Sequence, residues 1–132
     1  MDSKYGPLAL RLSLGLLFFI SGLKKLTAPE GFADMMGQWG FPLATVLAWI
    51  VIITEVLAGA SLLSGFKTKY GAGLLFTVLL VATLVVVLGT ADSVSTALAS
   101  SNFWWHIVGI TGMFSLYVTG PGAFAVDTNK GF

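Results

Sequence analysis

Four long stretches of this chain are nearly unbroken in apolar residues: about Pro7 to Leu26, Leu43 to Leu63, Tyr70 to Gly89 and Phe103 to Thr119. None alternates in and out as a half-buried strand does. Each approaches the ~20 residues that a helix rising 1.5 Å per residue needs to cross about 30 Å of hydrocarbon. Hydrocarbon offers no partner for an unpaired backbone group, so a crossing segment is expected to be helical. The pattern predicts an all-α fold: a polytopic membrane protein, a four-transmembrane-helix antiparallel bundle, as a single domain over residues 1–132.

The polar breaks set the connections. Thr27-Ala28-Pro29-Glu30 carries a Thr and a Glu three residues apart, the spacing of a capping box, with Pro29 in the first turn. It predicts a short interfacial helix ending near Gly37 or Gly40, with Phe32, Met35, Met36 and Trp39 on the bilayer surface. The loop Ser64 to Lys69 is so tight that the helices on either side must be antiparallel neighbours. Thr90 to Asn102 reads as a polar loop rich in small residues, and Gly120-Pro121-Gly122 stops the last helix.

Composition supports this picture. Of 132 residues, 56% are hydrophobic and only 10% charged, against roughly 25% charged in ordinary soluble domains. The lysines and arginines are uneven. Lys4, Arg11, Lys67, Lys69 and Lys130 fall on one predicted side, Lys24 and Lys25 on the other beside Glu30 and Asp34. Positive charge gathers in cytoplasmic loops, so both termini are expected in the cytoplasm, with the chain in the plasma membrane and Trp39, Trp104 and Trp105 in an outer aromatic belt. A net charge of +1 gives no reason to expect nucleic acid.

Candidate chemistry is sparse. With no cysteine and one histidine, thiolate chemistry is excluded within the chain and no metal site is expected. Glu55 lies about nine residues inside its helix, roughly 13 Å from the cytoplasmic end. A carboxyl at that depth costs several kcal/mol by order of magnitude unless it is paired or protonated. It reads either as a packing ion pair or as a proton or ligand site. Arg11 is its expected partner, although a guanidinium near a helix end also snorkels to lipid phosphate. His106 follows Trp104-Trp105 near the outer end of the fourth helix, titrates near neutrality when unperturbed, and is expected to be a site separate from Glu55. Lys24 and Lys25 suit the C-terminal dipole of the first helix.

Three segments, in this order, carry a resemblance. They are Leu10-Arg11 with Gly15-Leu16-Leu17-Phe18 and Gly22-Leu23-Lys24-Lys25-Leu26; Gly40-Phe41-Pro42 leading to Glu55, Gly59 and Leu63; and the ending Gly120-Pro121-Gly122-Ala123-Phe124-Ala125-Val126-Asp127. Together they resemble the DoxX family of small four-helix membrane proteins, with Ala125 where a serine is common. The resemblance implies a membrane subunit linked to oxidoreductase systems, as in a thiosulfate:quinone oxidoreductase. The expected function is accordingly an integral membrane subunit of such a system, binding quinone or anchoring a catalytic partner, with Arg11, Glu55 and His106 as the ligand-binding candidates. No cofactor other than quinone is implied. The expected partners are the lipid bilayer and either an oxidoreductase subunit or a second copy of the chain. The alternative is a non-enzymatic binder or carrier of a lipid or small hydrophobic molecule. A proton pathway through Glu55 has thinner support, because a pathway needs a relay of such groups.

Overall fold

The structure is a computed structural model and describes residues 3–129; Lys130, counted above among the cytoplasmic charges, lies outside them. Six helices follow in order: α1 (Tyr5–Thr27), α2 (Pro29–Gln38), α3 (Ala44–Ser64), α4 (Thr68–Ala82, continued by a π-helical turn, Thr83–Leu88), α5 (Val94–Ala99) and α6 (Ser101–Thr119). A 3-10 turn, Val126–Asn129, closes the described chain. The four long helices match the four apolar stretches within about two residues at each end, which is the usual uncertainty of helix boundaries.

Among the described residues, three spans are long and apolar enough to cross a membrane: Tyr5–Thr27, Ala44–Ser64 and Thr68–Leu88. α6 is not among them, since Ser101, Asn102 and His106 make its beginning polar. Around the bundle α1 packs on α3, α3 on α4, α4 on α6, and α6 back on α1. The buried face of each helix repeats at three and four residues, as a helical stripe must: Arg11, Leu14, Gly15, Phe18 and Gly22 on α1, and Ala48, Ile52, Glu55, Ala58, Gly59 and Leu62 on α3. The polarity is inverted relative to a water-soluble protein. Arg11 is 1% exposed while Leu17 on the outer face is 58% exposed. Apolar side chains turned outward all round a bundle fit hydrocarbon as the surrounding solvent.

Missing side chains set the α1–α3 register. A Cβ on Gly15 would sit 3.0 Å from Leu62 Cβ, one on Gly22 2.9 Å from the Val56 nitrogen, and one on Gly59 2.6 Å from the Phe19 nitrogen. At these positions the two backbones touch, a close approach that small residues permit between membrane helices.

The short elements depart from the expectation. The apolar face of α2 is not free to lie on the bilayer surface, because α3 covers most of it. Phe32, Ala33 and Met36 are buried against Ala48 and Ile52 of α3, while Met35 stays 45% exposed. Packing on a helix already in place buries these side chains without cutting them off from the rest of the protein, so α2 becomes a cover over the first turns of α3. The capping box does not form. Ala28 is the N-cap of α2, and the Thr27 hydroxyl donates back to the Lys24 carbonyl at 2.6 Å, although Pro29 does open the helix. The expected loop at 90–102 contains α5, whose N-cap Ser93 accepts from the Thr96 N–H. Trp104 Nε1 donates to the Leu98 carbonyl at 2.8 Å and ties α5 to α6. Trp104 and Trp105 are exposed on the surface of the bundle, whereas Trp39 packs partly onto the α2–α3 cluster.

Candidate functional site

Two polar clusters occupy the bundle, one at each end of the α1–α3 interface. The first is built on Glu55, 5% exposed. Its Oε2 accepts from Lys25 Nζ at 2.7 Å and from the Ser21 hydroxyl at 3.1 Å, and Lys25 Nζ also donates to Ser21 Oγ at 2.7 Å. Ser21 and Lys25 are four residues apart, hence on one face of α1. Helical side chains lean toward the N-terminus of their own helix. In an antiparallel pair Lys25 therefore leans down α1 and Glu55 leans up α3, and the two converge. The Phe32 ring of α2 lies 5.2 Å from Lys25 Nζ and helps to cover the cluster. The Lys25 side chain remains 25% exposed against 6% for Glu55. No described residue donates to Glu55 Oε1, and this atom is not sealed: among the described residues the one sealed polar side-chain atom without a partner is Thr68 Oγ1.

The second cluster centres on Arg11. Its Nε donates to the Pro121 carbonyl at 3.0 Å. Nη1 donates to Leu62 at 2.8 Å and Leu63 at 3.0 Å, and Nη2 to Ala123 at 3.1 Å and Phe124 at 3.5 Å. A guanidinium carries five N–H donors in a rigid fork, and here the fork binds the last carbonyls of α3 to the segment after α6. Asp127 completes the closure. Its two carboxylate oxygens accept from the Lys67 and Thr68 N–H groups, each at 2.8 Å, which caps the start of α4. Its own N–H donates to the Gly65 carbonyl at 2.9 Å. Lys67 holds a left-handed φ of 50°, a conformation that costs a β-carbon residue roughly 1–2 kcal/mol, and the Asp127 bond offsets that cost. The Ala123 N–H donates to the Lys4 carbonyl at 3.0 Å. The segment after α6 thus ties together the first turns of α1, the end of α3 and the start of α4.

Arg11 and Glu55 do not meet, contrary to the sequence expectation, and Arg11 does not snorkel outward either. The register supplies the reason. Moving from Gly15 to Gly22 along α1 moves back from Leu62 to Glu55 along α3. Arg11, eleven residues before Gly22, therefore lies beside the Gly65 turn, about 16 Å along the axis from the level of Glu55. The first turns of α3 project past the end of α1 and are covered by α2 instead. This offset brings Lys25, expected only to face its own helix dipole, level with the buried acid. His106 is half-buried, and its Nδ1 pairs with the Asn102 carbonyl at 2.7 Å. No hydrogen bond or ion pair joins it to Glu55 among the described residues.

The family model described as DoxX matches residues 6–88, from α1 to the π turn. Among curated proteins, the inner membrane protein YphA of Escherichia coli (strain K12) is 32% identical over 120 residues, covering 89% of this chain and 84% of YphA. The inner membrane protein YqjF of the same organism is 30% identical over 125 residues, covering 92% of this chain and 89% of YqjF. The protein named "Putative oxidoreductase CatD", from Bacillus subtilis (strain 168), is 30% identical over 82 residues, covering 62% of this chain and 59% of CatD. No solved structure matches the chain significantly.

Proposed function

The chain belongs to the DoxX family of membrane proteins, and from that premise we propose that it is an integral membrane subunit of an oxidoreductase system whose ligand site is the Ser21–Lys25–Glu55 cluster. The observation that carries this reading is the Glu55 carboxylate inside an apolar bundle, with Oε2 held by Lys25 at 2.7 Å and Oε1 claimed by no described residue. A quinone is the ligand class we assign. Its carbonyl oxygen accepts from a partly exposed ammonium, its hydroquinone form donates to a carboxylate, and its ring and tail suit apolar walls with few polar groups. The name of CatD, a relative matched over part of its length, lends the oxidoreductase setting its support. Arg11, with its donors taken up by five carbonyls, serves structure in this reading, and His106 stands apart from the cluster.

The test is extraction into native-lipid discs, followed by identification of copurified small molecules. A quinone should copurify with the native chain at near-stoichiometric yield and fall at least fivefold in Lys25→Met and Glu55→Gln. Equal quinone in all three samples sinks the assignment. A lipid in its place, lost from the same variants, supports the carrier reading instead.

In the same proposal α6 is the fourth span. Its 19 residues reach about 28 Å at 1.5 Å each, and it completes the ring between α4 and α1. Lys4, Arg11, Lys67 and Lys69 lie at the end of the bundle closed by Asp127, and that end faces the cytoplasm. The chain has no cysteine, so Ser3→Cys and Asp92→Cys each place one thiol at an exposed position. An impermeant reagent should label Asp92→Cys in intact cells and Ser3→Cys only after lysis. Labelling at Ser3→Cys alone in intact cells reverses the orientation.

A further inference from the structure

We propose that the groove between the start of α4 and the end of α6 is a binding site for one anionic phospholipid, with the lipid phosphate at Lys69 and an acyl chain running down the groove toward Thr77. The inference is independent of the quinone reading, because the groove lies on the face of the bundle away from the α1–α3 interface. It is a cleft of about 540 Å³ lined by Lys69, Tyr70, Gly73, Leu74, Thr77 and Tyr117.

Three observations select this occupant. The first is charge. Lys69 is exposed, and its Nζ stands 4.9 Å from the Tyr117 ring centroid, so the aromatic face holds the ammonium at the mouth of the groove. Lys67 is also exposed, two residues before it. Neither lysine forms an ion pair with a described carboxylate. The nearby acid, Asp127, is held by the Lys67 and Thr68 N–H groups, and its single negative charge is outnumbered by the two lysines. The mouth is therefore net cationic, and a phosphodiester is the complementary group that a membrane supplies there.

The second is depth. Lys69 lies in the first turn of a membrane-spanning helix, at the level where headgroups sit. Tyr70 is 71% exposed and Tyr117 45% exposed, so both rings flank this level with polar tips that donate to phosphate or ester oxygens.

The third is shape. Gly73 leaves the floor open, one turn below Lys69, and Tyr117 forms the wall beside it: a Cβ on Gly73 would come no closer than 3.6 Å to that ring. The Thr77 hydroxyl donates to the Gly73 carbonyl at 3.0 Å, so the lower groove presents no unpaired donor to a hydrocarbon chain. From Lys69 to Thr77 the groove runs about 12 Å along the helix, a length that an acyl chain fills and a free anion does not.

The test is native mass spectrometry of the whole chain in detergent, titrated with phosphatidylglycerol or with phosphatidylcholine of the same acyl chains. One phosphatidylglycerol should bind at least fivefold more tightly than phosphatidylcholine. Lys69→Gln should remove most of that preference, weakening phosphatidylglycerol binding more than phosphatidylcholine binding. Lys24→Gln, a cation at the other end of the bundle, should keep the preference. Because Lys69 is exposed, its variant is expected to fold, and an unchanged unfolding temperature in detergent verifies this. Equal affinity for the two lipids overturns the proposal, as does a preference that survives Lys69→Gln. Displacement of the lipid by inorganic phosphate or glycerophosphoglycerol at the same concentration also overturns it, since an anion without a chain would then suffice.

Discussion

Arg11→Met is expected to destabilise the bundle by about 3–5 kcal/mol, because it strips several buried carbonyls of a charged donor. Arg11 is 1% exposed and donates to five carbonyls from two distant parts of the chain. A buried carbonyl stripped of its donor costs about 1–3 kcal/mol. The loss falls short of five such terms because the segment after α6 sits at the end of the bundle and gains water once it is released. The detachment should be visible directly. Gly122 to Asp127 should become cleavable in limited proteolysis of the variant while α1, α3 and α4 stay protected. Arg11→Lys should recover less than half of the loss, because an ammonium supplies a point charge and three donors in place of a five-donor fork. Reversible unfolding in mixed micelles measures all three proteins. A loss below about 1 kcal/mol for Arg11→Met, less than a single stripped carbonyl costs, would mean that the carbonyl cluster does not hold the end of the chain.

Lys25 and Glu55 should show the second large effect, and an asymmetric one. Lys25→Met leaves a carboxylate that is 6% exposed without its countercharge and is expected to cost about 2–4 kcal/mol. Glu55→Gln should cost less, about 1–2 kcal/mol, because Lys25 is already 25% exposed and its flexible stem can carry the ammonium toward the interface. The double variant should cost less than the sum by about 1–3 kcal/mol, the coupling of two groups in direct contact. Arg11→Met combined with Glu55→Gln should by contrast be additive within about 0.5 kcal/mol, as for sites without a shared partner. Coupling between Arg11 and Glu55, or strict additivity between Lys25 and Glu55, would contradict the register of α1 on α3.

These two expectations rest on different amounts of sequence information. That Glu55 needs a partner follows from one acid in an otherwise apolar stretch. Which partner it takes does not. Counting inward from helix ends places Arg11 and Glu55 in the same half of the membrane, but the count assumes that α1 and α3 end at the same level. They do not, because Gly15, Gly22 and Gly59 lock the two backbones at a fixed offset and α2 covers the part of α3 that projects beyond. The spacing of Ser21 and Lys25 on one face of α1 was a signal available in the chain. A lysine in the last turn of a helix has a sufficient local explanation in the dipole, and that explanation hid the ion pair. Asp127 was similar: it was visible as the last residue of a recognisable ending, while its role as the cap of α4 depends on the chain after Gly120 folding back beneath the bundle.

What the sequence determined by itself is whatever depends on solvent and local periodicity. Runs of apolar residues must be helices in hydrocarbon, glycine and proline must end them, and a loop as short as Ser64 to Lys69 must turn the chain straight back. Those requirements act over a few residues, so they were legible without any partner in view, and the four long helices followed. The tertiary structure alone decided what depends on how far one helix slides along another. It decided that Lys25 meets Glu55, that Arg11 binds the chain end, and that α2 packs inward as a cover. It also placed Lys69 against Tyr117 across a groove. Helix–helix offset is set by the few places where backbones touch, and a shift of a single turn, about 5.4 Å, exchanges one ion-pair partner for another while leaving every hydrophobic stretch unchanged.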